Sequence, residues 1–203
     1  MLTLTETPLF VTSCYSTYLT GVDHKNIISC VEQIENTVPG RNRSNSGGYQ
    51  SSSYTNYDNQ HTALLFEEHI IPAVQHIGKE WGLPSTLEKK NYWYNVNRKY
   101  TFNWAHVHPR SYISGVFYLQ VPDSSGSIVF ERSTTETDRM SFITDAYIDQ
   151  QTGIDNTHVN TQHVFAPSAG LLILFPGHLS HYVSPNITDE SDDRRISLSF
   201  NFF

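Results

Sequence analysis

The chain has 203 residues, 38% of them hydrophobic, 13% aromatic and only 16% charged, with a formal net charge of −7. That length and apolar content suit one folded domain spanning residues 1–203, and the acidic balance without a basic stripe argues against nucleic acid as a partner, since phosphate contacts need clustered Lys and Arg. Two cysteines, Cys14 and Cys30, are too few for a disulfide scaffold and too isolated for a zinc knuckle, so a reducing cytoplasm is the expected compartment.

Met1 to Glu6 has neither a basic segment nor a long apolar run, so no secretory leader is expected. Residues 23 to 38 place Ile27, Ile28, Val31 and Ile34 at helical spacing behind Asp23, a candidate cap, and set Cys30 on the apolar face as a buried thiol. Residues 41 to 59, rich in Ser, Asn, Gly and Tyr, read as loop or irregular edge strand. A second helical pattern follows with Phe66, Ile70, Val74, Ile77 and Trp81 on one face; Pro72 is expected to kink or divide it, and Gly82-Leu83-Pro84 to end it.

Beyond residue 90 the period changes from 3.6 to 2. Tyr92, Tyr94 and Val96 alternate with Trp93, Asn95 and Asn97, and later apolar runs are short and bounded by Pro, Gly or Asp. The longest, Gly170 to Pro176, is the length of a buried strand and too short to cross a membrane. Between Glu131 and Asn160 lies a polar insert with weak strand signal, read as a lid facing the substrate. The expected fold is mainly β: residues 1–89 as helical support, packed on a jelly-roll core over 90–203.

His106-Val107-His108 carries the chemistry. Residues two apart on a strand share a face, about 6.6 Å apart along the chain, so both imidazoles can converge on one ion. A third must come from elsewhere, and His181, 75 residues after His106 and flanked by strand character, can supply it; His178 competes for that position. His158 and His163 read as loop or strand-edge residues. Three imidazoles with open positions suit iron, zinc, copper or nickel. In the last strand Arg195 and Ser197 share the face opposite Ile196, Leu198 and Phe200, and an Arg fork beside a hydroxyl is a receptor for a carboxylate. Alone, Arg195 also reads as an ion-pair partner for the acidic run from Asp189 to Asp193.

These residues resemble a known family. Asn95, Asn103, His106-x-His108-Pro109, Ser111, Ser114-Gly115-Val116-Phe117-Tyr118-Leu119, Pro167-x-x-Gly170, Leu174-Phe175-Pro176, His181-x-Val183-x-Pro185-Asn186 and Arg195-Ile196-Ser197-x-Ser199-Phe200-Asn201 are similar to the 2-oxoglutarate- and Fe(II)-dependent oxygenases of bacteria and marine phages. Ser44-Asn45-Ser46-Gly47-Gly48-Tyr49-Gln50-Ser51 matches the family's Gly-Gly-aromatic-Gln-Ser element. The resemblance implies a double-stranded β-helix, the prolyl and aspartyl/asparaginyl hydroxylases being broader relatives. It implies metal ligands and catalytic residues at His106, His108 and His181, with His108 where most of the superfamily has Asp or Glu. It also implies cosubstrate contacts at Arg195 and Ser197, with Ser114 and Tyr118 as further ones, and casts His178 as a pocket wall.

The implied cofactors are Fe(II), 2-oxoglutarate and O2, with ascorbate in support. The implied reaction is hydroxylation of a peptide or amino-acid side chain, with Trp93, Asn95, Asn97 and Asn103 on the substrate side. No membrane partner is expected; a homodimer and a cytoplasmic location, that of the host cell if the gene is a phage's, complete the expectation. Two other readings stay open: a three-histidine cupin-type dioxygenase that needs no 2-oxo acid, and a non-catalytic, metal-holding jelly-roll binding or virion module.

Overall fold

A computed structural model describes residues 11–84, 87, 90–132 and 161–203. The expected lid over 131–160 lies almost wholly outside the described residues. Strand β1 (Tyr15–Tyr18) comes first, then helix α1 (His24–Thr37). Asp23 caps α1 by accepting from the Asn26 N–H at 3.2 Å, and Ile27 and Val31 are fully buried. Cys30 is only partly buried on that helix. Two short strands, β2 (Asn45–Ser46) and β3 (Tyr49–Gln50), occupy the Ser- and Gly-rich segment.

The second helical pattern is divided as Pro72 requires. Asn59 caps α2 (Gln60–Leu65), a π-helical turn follows (Phe66–Ile70), and α3 (Ile71–Glu80) completes the rod. In the wide turn the Ile71 N–H reaches back five residues to the Phe66 carbonyl. This widening sits where the proline ring would otherwise press on the preceding turn and where its missing N–H leaves a carbonyl unpaired.

The remaining strands are β4 (Lys90–Asn97), β5 (Phe102–His106), β6 (Ile113–Gln120), β7 (Ile128–Glu131), β8 (Gln162–Phe165), β9 (Leu171–Pro176), β10 (His181–Val183) and β11 (Arg195–Phe202). They form two antiparallel sheets, ordered β1-β9-β6-β11-β4-β3 and β2-β5-β10-β7-β8. The architecture is a double-stranded β-helix with helices against the larger sheet. The segment before residue 90 thus supplies three strands as well as the helices.

Period-2 alternation assigns each face of the larger sheet. Tyr92, Tyr94, Val96, Phe117, Leu172, Ile196, Leu198, Phe200 and Phe202 point outward into one core with Ile27, Val31, Phe66, Ile70, Val74 and Ile77 from the helices. Gly115 lies opposite Phe200, and a Cβ there would run into the Phe200 ring. Val116, Tyr118, Leu171, Ile173 and Phe175 point inward and meet Ile128 and Phe130 of the smaller sheet. Along β11 the inward column is Arg195, Ser197, Ser199 and Asn201, facing Asn97, Asn95, Trp93 and Asn91 of β4 in register. The barrel interior is therefore polar on one wall and apolar on the other.

Candidate metal centre and anion pocket

The histidines reach one point because β5 carries an extra residue. His181 pairs with His106 and Val183 with Asn103, so two steps along β10 oppose three along β5. In a regular strand residues 103 and 106 would face opposite ways. The bulge turns both inward and leaves Trp104 and Ala105 exposed between them. His108 follows just past the strand end, its N–H donating to the Gly177 carbonyl at 2.7 Å.

His106, His108 and His181 bring their ligand atoms within 4.8 Å of one another. Ring centroids are 4.4 Å apart for His106 and His181, 5.1 Å for His108 and His181, and 5.2 Å for His106 and His108. Each Nδ1 is engaged elsewhere: His106 with the Trp104 carbonyl at 2.7 Å, His181 with the Leu179 carbonyl at 2.9 Å, and His108 with Asn201 Oδ1. A carbonyl oxygen can only accept, so each Nδ1 carries the proton and each Nε2 presents a lone pair. Burial holds the imidazoles neutral. It pulls the His181 pKa down to about 3, with His106 adding to the shift, and that of His108 to about 4 against the opposing pull of Asn201. His106 is lowered too, again through burial. Three neutral nitrogens converging on one point can hold a divalent transition metal while leaving its other coordination positions free.

Beside the cluster lies a cavity lined by Trp93, Asn95, Asn97, Asn103, Val116, Tyr118, Ile128, Val183, Arg195, Ser197 and Ser199. Trp93 joins the two, its ring centroid 5.7 Å from that of His108. Arg195 is 2% exposed, and its Nη1 donates to the Ser125 carbonyl. Among the described residues no carboxylate is within ion-pair range of it. The acidic run is engaged elsewhere: Asp192 binds Arg194, which Glu32 of α1 also binds, and Asp189 binds Lys99. Burial disfavours the Arg195 charge, with Tyr118 acting in the opposite direction. Burial also pushes the Tyr118 hydroxyl up to about 12, so it remains a donor. Among the described residues the buried Ser125 Oγ has no hydrogen-bond partner. A buried cation on the cavity wall, with no carboxylate in range among the described residues, fits an anionic guest.

Arg195, Ser197 and Tyr118 thus share the cavity, whereas Ser114 lies elsewhere, its hydroxyl 2.8 Å from Asn201 Oδ1 behind His108. His178 is exposed, stands outside the histidine cluster and is not among the residues that line this cavity. His163 sits exposed on β8, an edge strand. Ser125 and Gly126 carry no functional signal in the sequence, and Asn201, though part of the last-strand motif, has no role assigned to it there. Asn201 was within reach, as the fourth residue of the column that begins at Arg195.

Residues 91–201 match the family described as "Putative 2OG-Fe(II) oxygenase". The chain belongs to this oxygenase family. A search of curated protein sequences finds no match. Among solved structures, the fold is similar to a Pseudomonas putida prolyl-4-hydroxylase, with 16% identity and a TM-score of 0.60 over 94% of this chain and 92% of that one. HygX from Streptomyces hygroscopicus, solved with nickel and 2-oxoglutarate bound, has 11% identity and a TM-score of 0.58, covering 94% and 81%. The epimerase SnoN, in complex with Fe3+, alpha ketoglutarate and nogalamycin RO, has 12% identity and a TM-score of 0.62, covering 95% and 79%. Among the described residues, no helix of this oxygenase is long and apolar enough to cross a membrane.

Proposed function

We propose that this oxygenase holds Fe(II) on the Nε2 atoms of His106, His108 and His181 and binds 2-oxoglutarate with its far carboxylate on Arg195. The observation that carries the reading is the coexistence, in one barrel, of three capped, neutral imidazoles and a buried guanidinium with no carboxylate in reach among the described residues. The planar fork of Arg195 offers two parallel N–H donors to a carboxylate, and Ser197 and the protonated Tyr118 hydroxyl stand beside it. Val116, Ile128 and Val183 form the apolar side of the cavity and keep water from the guest. When bound, iron, 2-oxoglutarate and O2 supply oxidative decarboxylation to succinate and CO2, coupled to oxidation of a C–H bond.

The substrate we propose is a peptide or amino-acid side chain, in keeping with the likeness to the prolyl-4-hydroxylase. Asn95, Asn97 and Asn103 give the cavity wall amide donors and acceptors suited to a polar guest, and Trp93 lies between that wall and His108. A three-histidine dioxygenase without a 2-oxo acid has no use for Arg195, and the absence of a carboxylate within ion-pair range of it among the described residues weighs against that alternative.

Anaerobic Fe(II) titration with and without 2-oxoglutarate, followed by the charge-transfer absorption of the complex, tests the site. The band is expected in the native protein and in His178→Ala, and is expected to be lost in His106→Ala and His181→Ala. With ascorbate and air, the native protein should form succinate slowly, and faster with a peptide or amino-acid substrate. Folded, iron-loaded protein that forms no succinate under any condition would overturn the reading.

A further inference from the structure

We infer that Asn201 fixes the tautomer and tilt of His108 and thereby selects imidazole, rather than carboxylate, at that position of the metal centre. The inference rests on the metal-site reading above and extends it to a residue that does not touch the metal.

The three histidines are held in two different ways. His106 and His181 donate to main-chain carbonyls two residues behind them, Trp104 and Leu179, which no substitution removes. His108 alone depends on a side chain, its Nδ1 meeting Asn201 Oδ1. Ser114 Oγ donates to the same Oδ1 at 2.8 Å, and Asn201 Nδ2 donates to Asn91 Oδ1 at 3.1 Å. Register enforces the arrangement, because Asn201 lies directly opposite Asn91 on β4 and Ser114 on β6.

With Asn201 9% exposed, turning the amide over would set its oxygen against the Asn91 oxygen inside the barrel. It would also present an N–H to His108 Nδ1, moving the ring proton to Nε2 and removing the lone pair that faces His106 and His181. A carboxylate at position 108 would meet the Asn201 oxygen with an oxygen of its own. The Asn91, Asn201 and Ser114 chain is therefore wired for a ring N–H and against an anion.

The test is Co(II) binding by the full chain, read by titration and by the visible absorption of the bound ion. Asn201→Leu keeps the size and removes the acceptor. It should weaken Co(II) binding about 10- to 100-fold, the range for losing the partner of a ligating histidine. Asn201→Asp keeps the acceptor and should retain tight binding with a displaced absorption band, since a charged acceptor makes the ring a stronger donor. His108→Asp should bind Co(II) at least about 10-fold more weakly than the native protein. In that background Asn201→Leu should cost nothing further or restore affinity, because it removes the opposing oxygen. Equal losses from Asn201→Leu in both backgrounds would assign Asn201 a merely structural role and overturn the inference. So would an unchanged affinity in folded Asn201→Leu, or, if that variant does not fold, an unchanged Co(II) band in Asn201→Asp. If the native protein takes up no Co(II), the metal-site reading itself falls and takes this inference with it.

Discussion

The two faces of the larger sheet are made by the same strands and differ in how fully their polar atoms are satisfied. On the outer face the hydroxyls of Tyr92 and Tyr94 are buried with the helices, and Asp58 accepts from both, at 2.7 and 3.0 Å, while Thr62 also pairs with Tyr94 at 2.7 Å. On the inner face, among the described residues, Arg195 has a main-chain carbonyl as its hydrogen-bond partner and no carboxylate in range. The protein can complete buried hydrogen bonding where stability is concerned, so the unmet capacity inside the barrel marks where a guest belongs.

The comparison is sharpened most by truncating the outer face. Phe200 is fully buried against Phe66 and Phe202, and Phe200→Ala should cost about 3–5 kcal/mol of stability in a denaturant titration. The inner counterpart is Arg195→Lys, which keeps the charge and loses the fork. It should lower 2-oxoglutarate affinity by about 1.5–3 kcal/mol in calorimetry with little change in thermal midpoint. A thermal loss as large as that of Phe200→Ala would break the distinction between the faces. Asp58→Ala, which removes the acceptor that two buried hydroxyls share, should cost about 1–3 kcal/mol of stability while leaving 2-oxoglutarate affinity unchanged.

A further comparison is the pH dependence of the metal-free protein. His108 and His181 have pKa values near 4 and 3 when folded, below the ordinary 6.5. Above pH 6.5 both states are neutral and nothing is lost. As pH falls below 6.5 the unfolded chain takes up protons that the folded one refuses, so stability declines until the folded values are reached. The slope is on the order of 1 kcal/mol per pH unit for each group. Thermal midpoints between pH 7 and 4 should fall less steeply in a His181→Gln variant, and parallel curves would remove these imidazoles as the cause.

Much of this was legible in the sequence because it obeys simple periods. The alternation from Tyr92 to Asn97 and from Arg195 to Asn201 sorts core from cavity, and the helical spacing of Phe66, Ile70, Val74 and Ile77, with Pro72 among them, announces a divided helix. The metal ligands could be proposed from His106-x-His108 and a distant His181. Other features had no local signal. β1, Tyr-Ser-Thr-Tyr, is mostly exposed and is held through main-chain pairing with β9, so its side chains carry no alternation of apolar and polar residues. The carbonyls of Trp104, Leu179 and Ser125 have no side-chain signature at all. His178 differs from His181 by three positions and a change of direction in a turn, which periodicity cannot follow.

Gly126 shows the same dependence on main chain from the other side. It has a φ of +86°, and a Cβ there would lie 2.9 Å from Arg195 Nη1 and press on the Ser184 carbonyl, so the turn can close over the guanidinium only with glycine.

The bulge in β5 gives the length of the chain a chemical meaning. Ala105 offers no functional group, and its side chain points to solvent. As a spacer, though, it decides which way the next residue faces, so removing it would return β5 to strict alternation and swing His106 out of the barrel while every ligand in the sequence was still present. The proposed metal centre is thus written partly in a residue count, which an inventory of side chains would pass over and a single-codon deletion would erase.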